Sequence, residues 1–235
     1  PPVVQACGRL AAGKSRSITF APEAGSERLR RAINKCVGYD DIMAAIRLAA
    51  EHRFESLKLY FMVGLPGEED QDIDDLVKLV REIAGLYPRN IVVNVTPFVP
   101  KAHTPFETAG MAPEAVLKER MDRIRSALRN RQVEVRAEAI LEARAQGVLA
   151  RGDRVLGEAL AGSRSSTVKG WMRELERRGV AVEQYLGARA PDERLPWALV
   201  SSGVHPTFLA AERERSEQGV ITGPCTPSGC SRCGA

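Results

Sequence analysis

The chain has 235 residues, a formal net charge of +4 and 44% hydrophobic residues, enough for one large domain with a small tail. Its 27% charged residues argue against a fibrous or low-complexity protein. No apolar run reaches the roughly 18 residues of a membrane-spanning helix, and no secretory signal is visible, so we expect a cytoplasmic protein without a membrane partner. The mildly basic charge permits an RNA or phosphate partner but does not require one.

Three segments rich in β-branched and aromatic residues predict strands over residues 15–20, 56–63 and 91–98. The second and third are apolar at nearly every position, which predicts strands that are covered on both faces. Helical patterns lie between the strands. The order β-α-β-α-β therefore predicts a parallel sheet with right-handed crossovers.

The helices of this first part carry start and stop signals. Ser26 is positioned to cap one helix, and a second helix follows around Ile42. The clearest helix spans residues 72–84, with acids in its first turn and Gly85 as a stop signal. These segments make the first part of the chain an α/β unit.

A helix with two different faces is predicted after Pro113. Its buried face is indicated by an apolar stripe: Leu117, Met121, Ile124 and Leu128. Its other face carries far more cations than acids: Lys118, Arg120, Arg123, Arg125, Arg129 and Arg131. The simple interpretation of this basic face is a solvated surface, and the functional one is contact with an anionic partner such as RNA.

The second part of the chain is predicted to be mostly helical. One helix lies near residues 138–150, and Thr167 can cap another that ends at Gly179. We expect Trp171 on that helix to be a core residue and not a platform for stacking. The segment from Leu195 onward indicates short helix and loop.

Two turns lie where parallel strands end, at the edge where α/β folds bind ligands. Residues 21–26 join the first strand to a helix N-terminus and offer amide donors beside a carboxylate. Residues 64–69 follow the second strand, and their glycines let the backbone approach a flat ring. Each turn alone is weak evidence, because such junctions also arise from packing.

Three blocks of the sequence stand out together: residues 23–29 with Asn34 and Lys35, residues 57–68, and residues 99–106. In this combination and order, they resemble a radical S-adenosylmethionine (SAM) enzyme. The chain is similar in particular to uncharacterised radical SAM proteins that often carry an N-terminal cobalamin-binding-like domain. Further blocks resemble the C-terminal region of that family: residues 151–154, 195–197 and 208–212, and the terminal cysteines.

The resemblance implies the fold class and its divisions. We expect an α/β chain that supplies the last three β/α units of a partial (β/α)6 barrel, followed by a mostly helical region with a cysteine-rich tail. The expected divisions are residues 1–130 for the barrel part, 131–220 for the helical appendage and 221–235 for the tail.

The resemblance also implies where SAM would bind. Its ribose and methionine parts would meet Glu23, Gly25 and Ser26. Its adenine would lie against Val63 and Gly64, and against the backbone from Thr96 to Phe98. The family resemblance identifies no catalytic residue in this chain.

The chemistry implied by the family is radical formation. In such enzymes a [4Fe-4S] cluster, reduced by a donor such as flavodoxin or ferredoxin, passes an electron to SAM. The resulting 5′-deoxyadenosyl radical takes hydrogen from the substrate. Similarity to the methylthiotransferases implies RNA or a ribosomal protein as the substrate, and participation of cobalamin stays open.

The sequence departs from the family at the cluster motif. The family's C-x3-C-x2-C is nowhere in this sequence, and Cys7 and Cys36 are single thiols without a partner at ligand spacing. We therefore expect the chain to be the C-terminal part of a longer enzyme, and to be inactive alone.

Three cysteines close the chain with C-x4-C-x2-C spacing: Cys225, Cys230 and Cys233. Three thiolates at this spacing suit one zinc ion or an auxiliary iron–sulfur cluster. A reduced tail without metal and a disulfide are the alternatives. No fourth ligand is obvious nearby, since His205 is expected to be a loop residue.

His103 and Lys101 lie in the loop after the third strand, on the side where a substrate would sit. A lone loop histidine is usually structural, and Lys101 is a weak candidate for an anionic substrate. The rival to the enzyme is a non-catalytic nucleic-acid-binding module with a metal-stapled tail. A doubly wound sheet that binds some nucleotide is the third interpretation.

Overall fold

A computed structural model describes residues 16–190, 192–225 and 232–234. Within these ranges the elements follow in chain order: β1 (Ser17–Glu23), α1 (Glu27–Ala32), α2 (Tyr39–Glu51), β2 (Ser56–Val63), α3 (Asp70–Leu86), β3 (Asn90–Pro97), α4 (Glu114–Leu128), β4 (Val133–Ala137), α5 (Ile140–Ala150), α6 (Arg154–Ala161), α7 (Val168–Arg177), α8 (Val182–Leu186), a 3-10 helix (Pro196–Leu199) and α9 (Pro206–Glu217).

The four strands form one parallel sheet in the order β1-β2-β3-β4. The register places Leu57 of β2 opposite Ile91 of β3, and Ile91 opposite Val133 of β4. Helices connect each strand to the next, as a parallel sheet requires. The predicted fold class is confirmed: the chain is α/β with a parallel sheet and a helical C-terminal region, consistent with a partial barrel.

The strand boundaries agree closely with the sequence pattern in two of three cases. β2 occupies the predicted residues, and β3 begins and ends one residue earlier. β1 continues through residues 21–23, which were predicted as a turn, with a register shift between Phe20 and Glu23. β1 therefore includes Glu23, which was expected to lie in the turn after the strand.

The fourth strand is a correction to the prediction of three strands. β4 has only five residues, and its apolar Val133 and Val135 alternate with Glu134 and Arg136. So short and polar a segment gives a weak strand signal in the sequence. The sheet thus continues past residue 130, where the barrel part was expected to end, and the proposed divisions beyond it stay a prediction.

Among the described residues, the prediction that the strands are covered on both faces is wrong for β2. In β2 the side chains of Leu57, Leu59 and Phe61 are buried, whereas Lys58 is half-buried and Tyr60 is 40% exposed. The buried face packs against α2, α3 and α4, which supply a large part of the apolar core. The other face of the sheet is partly open among these residues.

The predicted helix caps are confirmed. The Ser26 hydroxyl accepts a hydrogen bond from the N–H of Leu29 at 3.1 Å, and Thr167 does the same for Gly170 at 3.1 Å. Gly179 follows α7 with φ +74°, a conformation that glycine adopts at little cost. Trp171 is buried in the core, as expected.

The C-terminal region returns to the first β/α unit of the chain. The N–H of Thr222 donates to the side-chain oxygen of Asn34 at 3.0 Å, and Arg31 Nε donates to the carbonyl of Gly219 at 3.3 Å. Glu212 on α9 accepts from the Thr222 hydroxyl at 2.7 Å. These contacts join α9 and the segment after it to α1.

Among the described residues, each helix is too short or too polar to cross a membrane.

Candidate functional site

The carboxyl ends of β1, β2 and β3 bring several of the predicted cofactor residues to one edge of the sheet. Thr96 is in register with Met62, and the N–H of Phe98 donates to the carbonyl of Val63 at 2.8 Å. Glu23 ends the neighbouring strand β1. Their position agrees with a ligand site at this edge, and their role in binding SAM stays a prediction.

Glu23 has a left-handed backbone, with φ +69°. Residues with a side chain rarely adopt this conformation, and such strain is often found at ligand sites. Its carboxylate is half-buried and lies 3.8 Å from Nζ of Lys35. Because this ion pair is too long for a direct hydrogen bond, the carboxylate oxygens stay available to a polar ligand.

Gly25 and Ser26 are engaged in packing. A Cβ at Gly25 would overlap the backbone of Leu76 on α3, so only glycine allows this approach. The buried Ser26 hydroxyl caps α1 and donates to Asp72, whose carboxylate also pairs with Arg28. These two predicted residues hold α1 against α3, and the Ser26 side chain is already satisfied without a ligand.

The glycine turn after β2 combines a special conformation with tight packing. Gly64 and Gly67 have φ values of +85° and +73°. A Cβ at Gly64 would lie 2.7 Å from Cδ2 of Leu117 and 2.9 Å from Cβ of Ala112, whereas one at Gly67 would meet nothing within 4 Å. The space beside Gly64 is therefore filled by α4 and its preceding loop.

A buried carboxylate fixes this turn. The N–H of Gly64 donates to Oε2 of Glu68 at 2.6 Å, and Arg120 on α4 pairs with the same oxygen at 2.7 Å. Arg120 also donates to the carbonyl of Glu68 at 3.1 Å. The Glu68 side chain is only 2% exposed, and this burial raises its pKa to about 7, although both partners favour the charged form.

Sequence reasoning missed the pair of Glu68 and Arg120. Arg120 was counted only as part of a basic face, and Glu68 only as the end of a glycine turn. The two residues are 52 positions apart, and neither has a local motif that indicates its partner. Only the packing of α4 beside β2 brings them together.

A small apolar cluster lies beside the glycine turn. Phe98 and Phe106 meet edge to face, with ring centroids 5.6 Å apart. Ala24, Leu29 and Leu65 complete the cluster. The Phe98 side chain is buried there, so its contribution to an adenine site would come from its backbone.

The predicted SAM residues thus fit the cofactor only in part. Val63 is fully buried in the core, and its carbonyl already accepts from Phe98. Among the described residues, the half-buried Thr96 hydroxyl has no hydrogen-bond partner, and the Glu23 carboxylate has only its long ion pair. Among the described residues, Glu23 and Thr96 are therefore the predicted groups whose side chains remain available to a polar ligand, and their role in binding SAM stays a prediction.

The loop after β3 is held in place by the C-terminal region. Glu107 accepts from the indole N–H of Trp197 at 2.7 Å and from the backbone N–H of His103 at 2.9 Å. Arg213 on α9 donates to the hydroxyl of Thr108 at 2.8 Å. His103 has a left-handed backbone at φ +57°, and its N–H serves to shape the loop.

Lys101 contacts α5 within this loop. Its Nζ donates to the side-chain oxygen of Gln146 at 2.7 Å, and burial lowers its pKa. This hydrogen bond gives Lys101 a structural role between the loop and the helix. No observation assigns it a substrate.

The cysteine-rich tail falls partly outside the described residues. Cys225 is exposed and Cys233 is half-buried, whereas Cys230 and Cys7 lie outside the described ranges. Within those ranges no three metal-ligating side chains are grouped, so the ligand set of Cys225, Cys230 and Cys233 stays a prediction. The carbonyl of Cys233 accepts from the N–H of His205 at 2.7 Å, which places Cys233 beside the start of α9.

Comparison with known protein families supports the resemblance that the sequence blocks indicated. Residues 5–80 match the family model of the Radical SAM superfamily. The predicted resemblance to radical SAM proteins is confirmed. The matched segment includes β1, β2 and the glycine turn, and it ends within α3.

Similar proteins match a part of this chain and are longer than the part that matches. An uncharacterized protein of Methanocaldococcus jannaschii is 39% identical over 154 residues, which are 66% of this chain and 34% of that protein. The tRNA-2-methylthio-N(6)-dimethylallyladenosine synthases of Pelotomaculum thermopropionicum and Novosphingobium aromaticivorans are 34% and 30% identical over 102 and 112 residues. Those matches cover 42% and 47% of this chain, and 21% and 24% of the synthases.

The chain therefore spans about a third or less of the length of the curated relatives that it matches. No solved structure matches it.

Proposed function

We propose that the chain is part of a radical SAM enzyme that binds SAM at the carboxyl edge of the sheet and acts on tRNA. The match of residues 5–80 to the superfamily carries this proposal, since it includes the strands that end at Glu23 and Val63. The choice of tRNA over a ribosomal protein follows from similarity to two synthases whose names specify a tRNA nucleoside.

The residues of the edge have separate tasks in this proposal. The Glu23 carboxylate accepts hydrogen bonds from hydroxyl or ammonium groups of SAM, and the Thr96 hydroxyl offers a further polar contact. Glu68 and Arg120 keep the Gly64 turn in its left-handed conformation beside the edge. Gly25 and Ser26 act indirectly, because they hold α1 against α3.

When bound, SAM and a [4Fe-4S] cluster supply the radical chemistry of this superfamily. Within the described residues no three ligating side chains are grouped, so none of them fits the radical-generating cluster. Nothing in that part of the chain supports cobalamin or zinc. The terminal cysteines stay candidates for an auxiliary metal, which metal analysis of the purified chain would test against a Cys225→Ser variant.

Binding of SAM to the 235-residue chain, measured by isothermal titration calorimetry, tests the proposal. We expect Glu23→Gln to weaken binding by about tenfold, the equivalent of about 1.4 kcal/mol for one charge-assisted hydrogen bond. Thr96→Val should weaken it by a few-fold, because a single neutral hydrogen bond is lost.

Glu27→Gln is the matched control, since Glu27 is an exposed carboxylate in the first turn of α1. Its affinity for SAM should equal that of the unchanged chain. Equal affinities for SAM in Glu23→Gln and Glu27→Gln would contradict the placement of the cofactor at this edge.

A further inference from the structure

An open cavity lies at the opposite end of the sheet from the glycine turn. Its volume is about 840 Å³, and it is bounded by the first residues of β2 and β3, the end of α4, the loop at residues 129–132 and the edge strand β4. Four guanidinium groups line it: Arg125, Arg129, Arg131 and Arg136. Glu134 is the one carboxylate among the lining residues that the structure describes, so their formal charge is +3, against +4 for the whole chain.

The four arginines differ in how far they are neutralised. Arg136 forms two hydrogen bonds with Glu134, at 2.8 and 3.0 Å. Arg125 pairs with Asp122 at 2.8 Å, a carboxylate that it shares with Lys118. The exposed Arg129 and Arg131, by contrast, have no carboxylate partner among the described residues.

This excess of charge is local, because the rest of the basic face of α4 is neutralised by carboxylates of α3, of the turn before α3 and of α4 itself. Arg120 pairs with the buried Glu68, and Arg123 pairs with Asp74. The basic face predicted from the sequence therefore divides into two parts. The cations in the first turns of α4 pair with the protein's own carboxylates. At the carboxyl end of the face, Arg129 and Arg131 have no such partner among the described residues.

The loop that carries the unpaired arginines is fixed by its own hydrogen bonds. The Asn130 side chain accepts from the N–H groups of Gln132 and Val133, both at 2.8 Å. The amide of Gln132 donates to the carbonyls of Ala84 at 3.0 Å and Tyr87 at 2.5 Å. A loop held in this way fixes the backbone that carries its two arginines before any ligand arrives, which lowers the entropy cost of binding.

Further cations lie along the same edge of the sheet. Arg53 precedes β2 and Arg89 precedes β3, and Arg89 donates to the carbonyl of Phe54 at 3.0 Å, not to a carboxylate. Neighbouring strands are about 4.8 Å apart, so these residues continue the positive charge of the cavity across roughly 10 Å of the edge.

We propose that this arginine-lined cavity binds the phosphodiester backbone of RNA. Guanidinium groups match phosphate oxygens with paired hydrogen bonds, and a row of them suits a ligand with repeated phosphates. None of the lining residues that the structure describes is aromatic, so bases have no stacking surface there and binding is independent of sequence. The choice of RNA rests on the proposed function, whereas the site is separate from the SAM edge.

Fluorescence anisotropy with a labelled uridine homopolymer, over a series of salt concentrations, tests this inference. A variant with both Arg129→Gln and Arg131→Gln should bind the RNA at least about tenfold more weakly at low salt. Each phosphate contact to a single strand contributes about 0.7 to the slope of log K against log salt, so the slope should fall by about 1.4.

The matched control carries Lys118→Gln and Arg123→Gln, which remove the same charge from α4 outside the cavity. Its RNA affinity and salt slope should stay close to those of the unchanged chain. A third variant, Ser126→Glu, adds an acid to the exposed wall of the cavity and should also weaken binding.

The outcomes separate the site from its rivals. Equal loss in the double variant and its control would overturn the inference, because net charge alone would then explain binding. Polyglutamate that displaces the RNA at equal charge concentration would also overturn it, in favour of an acidic polypeptide as the partner. Weakened RNA binding in the double variant, with unchanged SAM binding, would support the inference. The affinity of Glu23→Gln for SAM, by contrast, tests the proposed function and not this site.

Discussion

The two ends of the sheet hold their charged groups in opposite ways. At the carboxyl end, Glu68 and Arg120 are buried together and fix a glycine turn. At the amino end, Arg129 and Arg131 are exposed and have no carboxylate partner among the described residues. The difference teaches that charge at the first end maintains the fold, whereas charge at the second contributes little to it. Substitutions in the turn that Glu68 fixes should therefore act through stability, and substitutions at Arg129 and Arg131 should act through binding.

The largest effect on stability is expected at Gly64. Gly64→Ala should lower the free energy of unfolding by about 4 kcal/mol, since a left-handed backbone and contacts with Leu117 and Ala112 both oppose a Cβ. Gly67→Ala is the matched control, with a similar φ but open space, and should cost about 1 kcal/mol. Urea unfolding measures both, and equal costs would show that packing does not restrict this turn.

The pH dependence of stability should reveal Glu68. Its pKa is about 7 in the fold, against an ordinary value near 4.5, so the folded chain holds this proton more tightly than the unfolded chain. The free energy of unfolding should therefore fall by about 3 kcal/mol as the pH rises from about 4.5 through about 7.

Glu68→Gln should remove this part of the pH dependence, while Glu51→Gln, at an exposed position, should keep it. Denaturant unfolding at several pH values makes the comparison. A Glu68→Gln curve with the same slope as the unchanged chain would show that this carboxylate is not the group that titrates.

A smaller effect is expected at Ser26, also at the carboxyl end. Ser26→Ala removes the cap of α1 and a donor to the buried Asp72, which should cost about 2 kcal/mol. Ser26→Thr keeps a hydroxyl and should recover part of the loss. Thermal unfolding followed by circular dichroism tests this, and a cost below about 0.5 kcal/mol would mean that water replaces the hydroxyl.

The smallest effect is expected at the amino end. Arg129→Gln should change the free energy of unfolding by less than about 0.5 kcal/mol, because an exposed, unpaired cation contributes little to the fold. Chemical denaturation is the measurement. A loss of more than about 1 kcal/mol in the free energy of unfolding would contradict the difference between the two ends, since it would give this arginine a structural role.

Local signals in the sequence predicted the local features well. The apolar run at residues 56–63 gave β2 to the residue, and the hydroxyls of Ser26 and Thr167 gave two helix starts. Each of these signals lies within a few residues of the structure that it determines. The turn after β2 was likewise indicated by its own glycines, Gly64 and Gly67.

Features that depend on distant contacts were not predicted. Glu68 meets Arg120 only after α4 packs beside β2, and β4 is a strand because β3 offers it an edge. The open face of the sheet was missed because Tyr60 looks, in sequence, like any apolar strand residue. At the candidate site, the sequence named Gly25 and Ser26 as ligand residues, whereas their neighbours on α3 give them structural tasks.

The hydrogen bond between Asn34 and Thr222 has a consequence for folding. It joins residues 188 positions apart, so the contact closes a very long loop of chain. Loop-closure entropy must be overcome before such a contact forms, and chains rich in distant contacts fold slowly. During synthesis, the surface of α1 that receives this segment stays bare until the residues around Thr222 have left the ribosome, although α1 itself is made well before them.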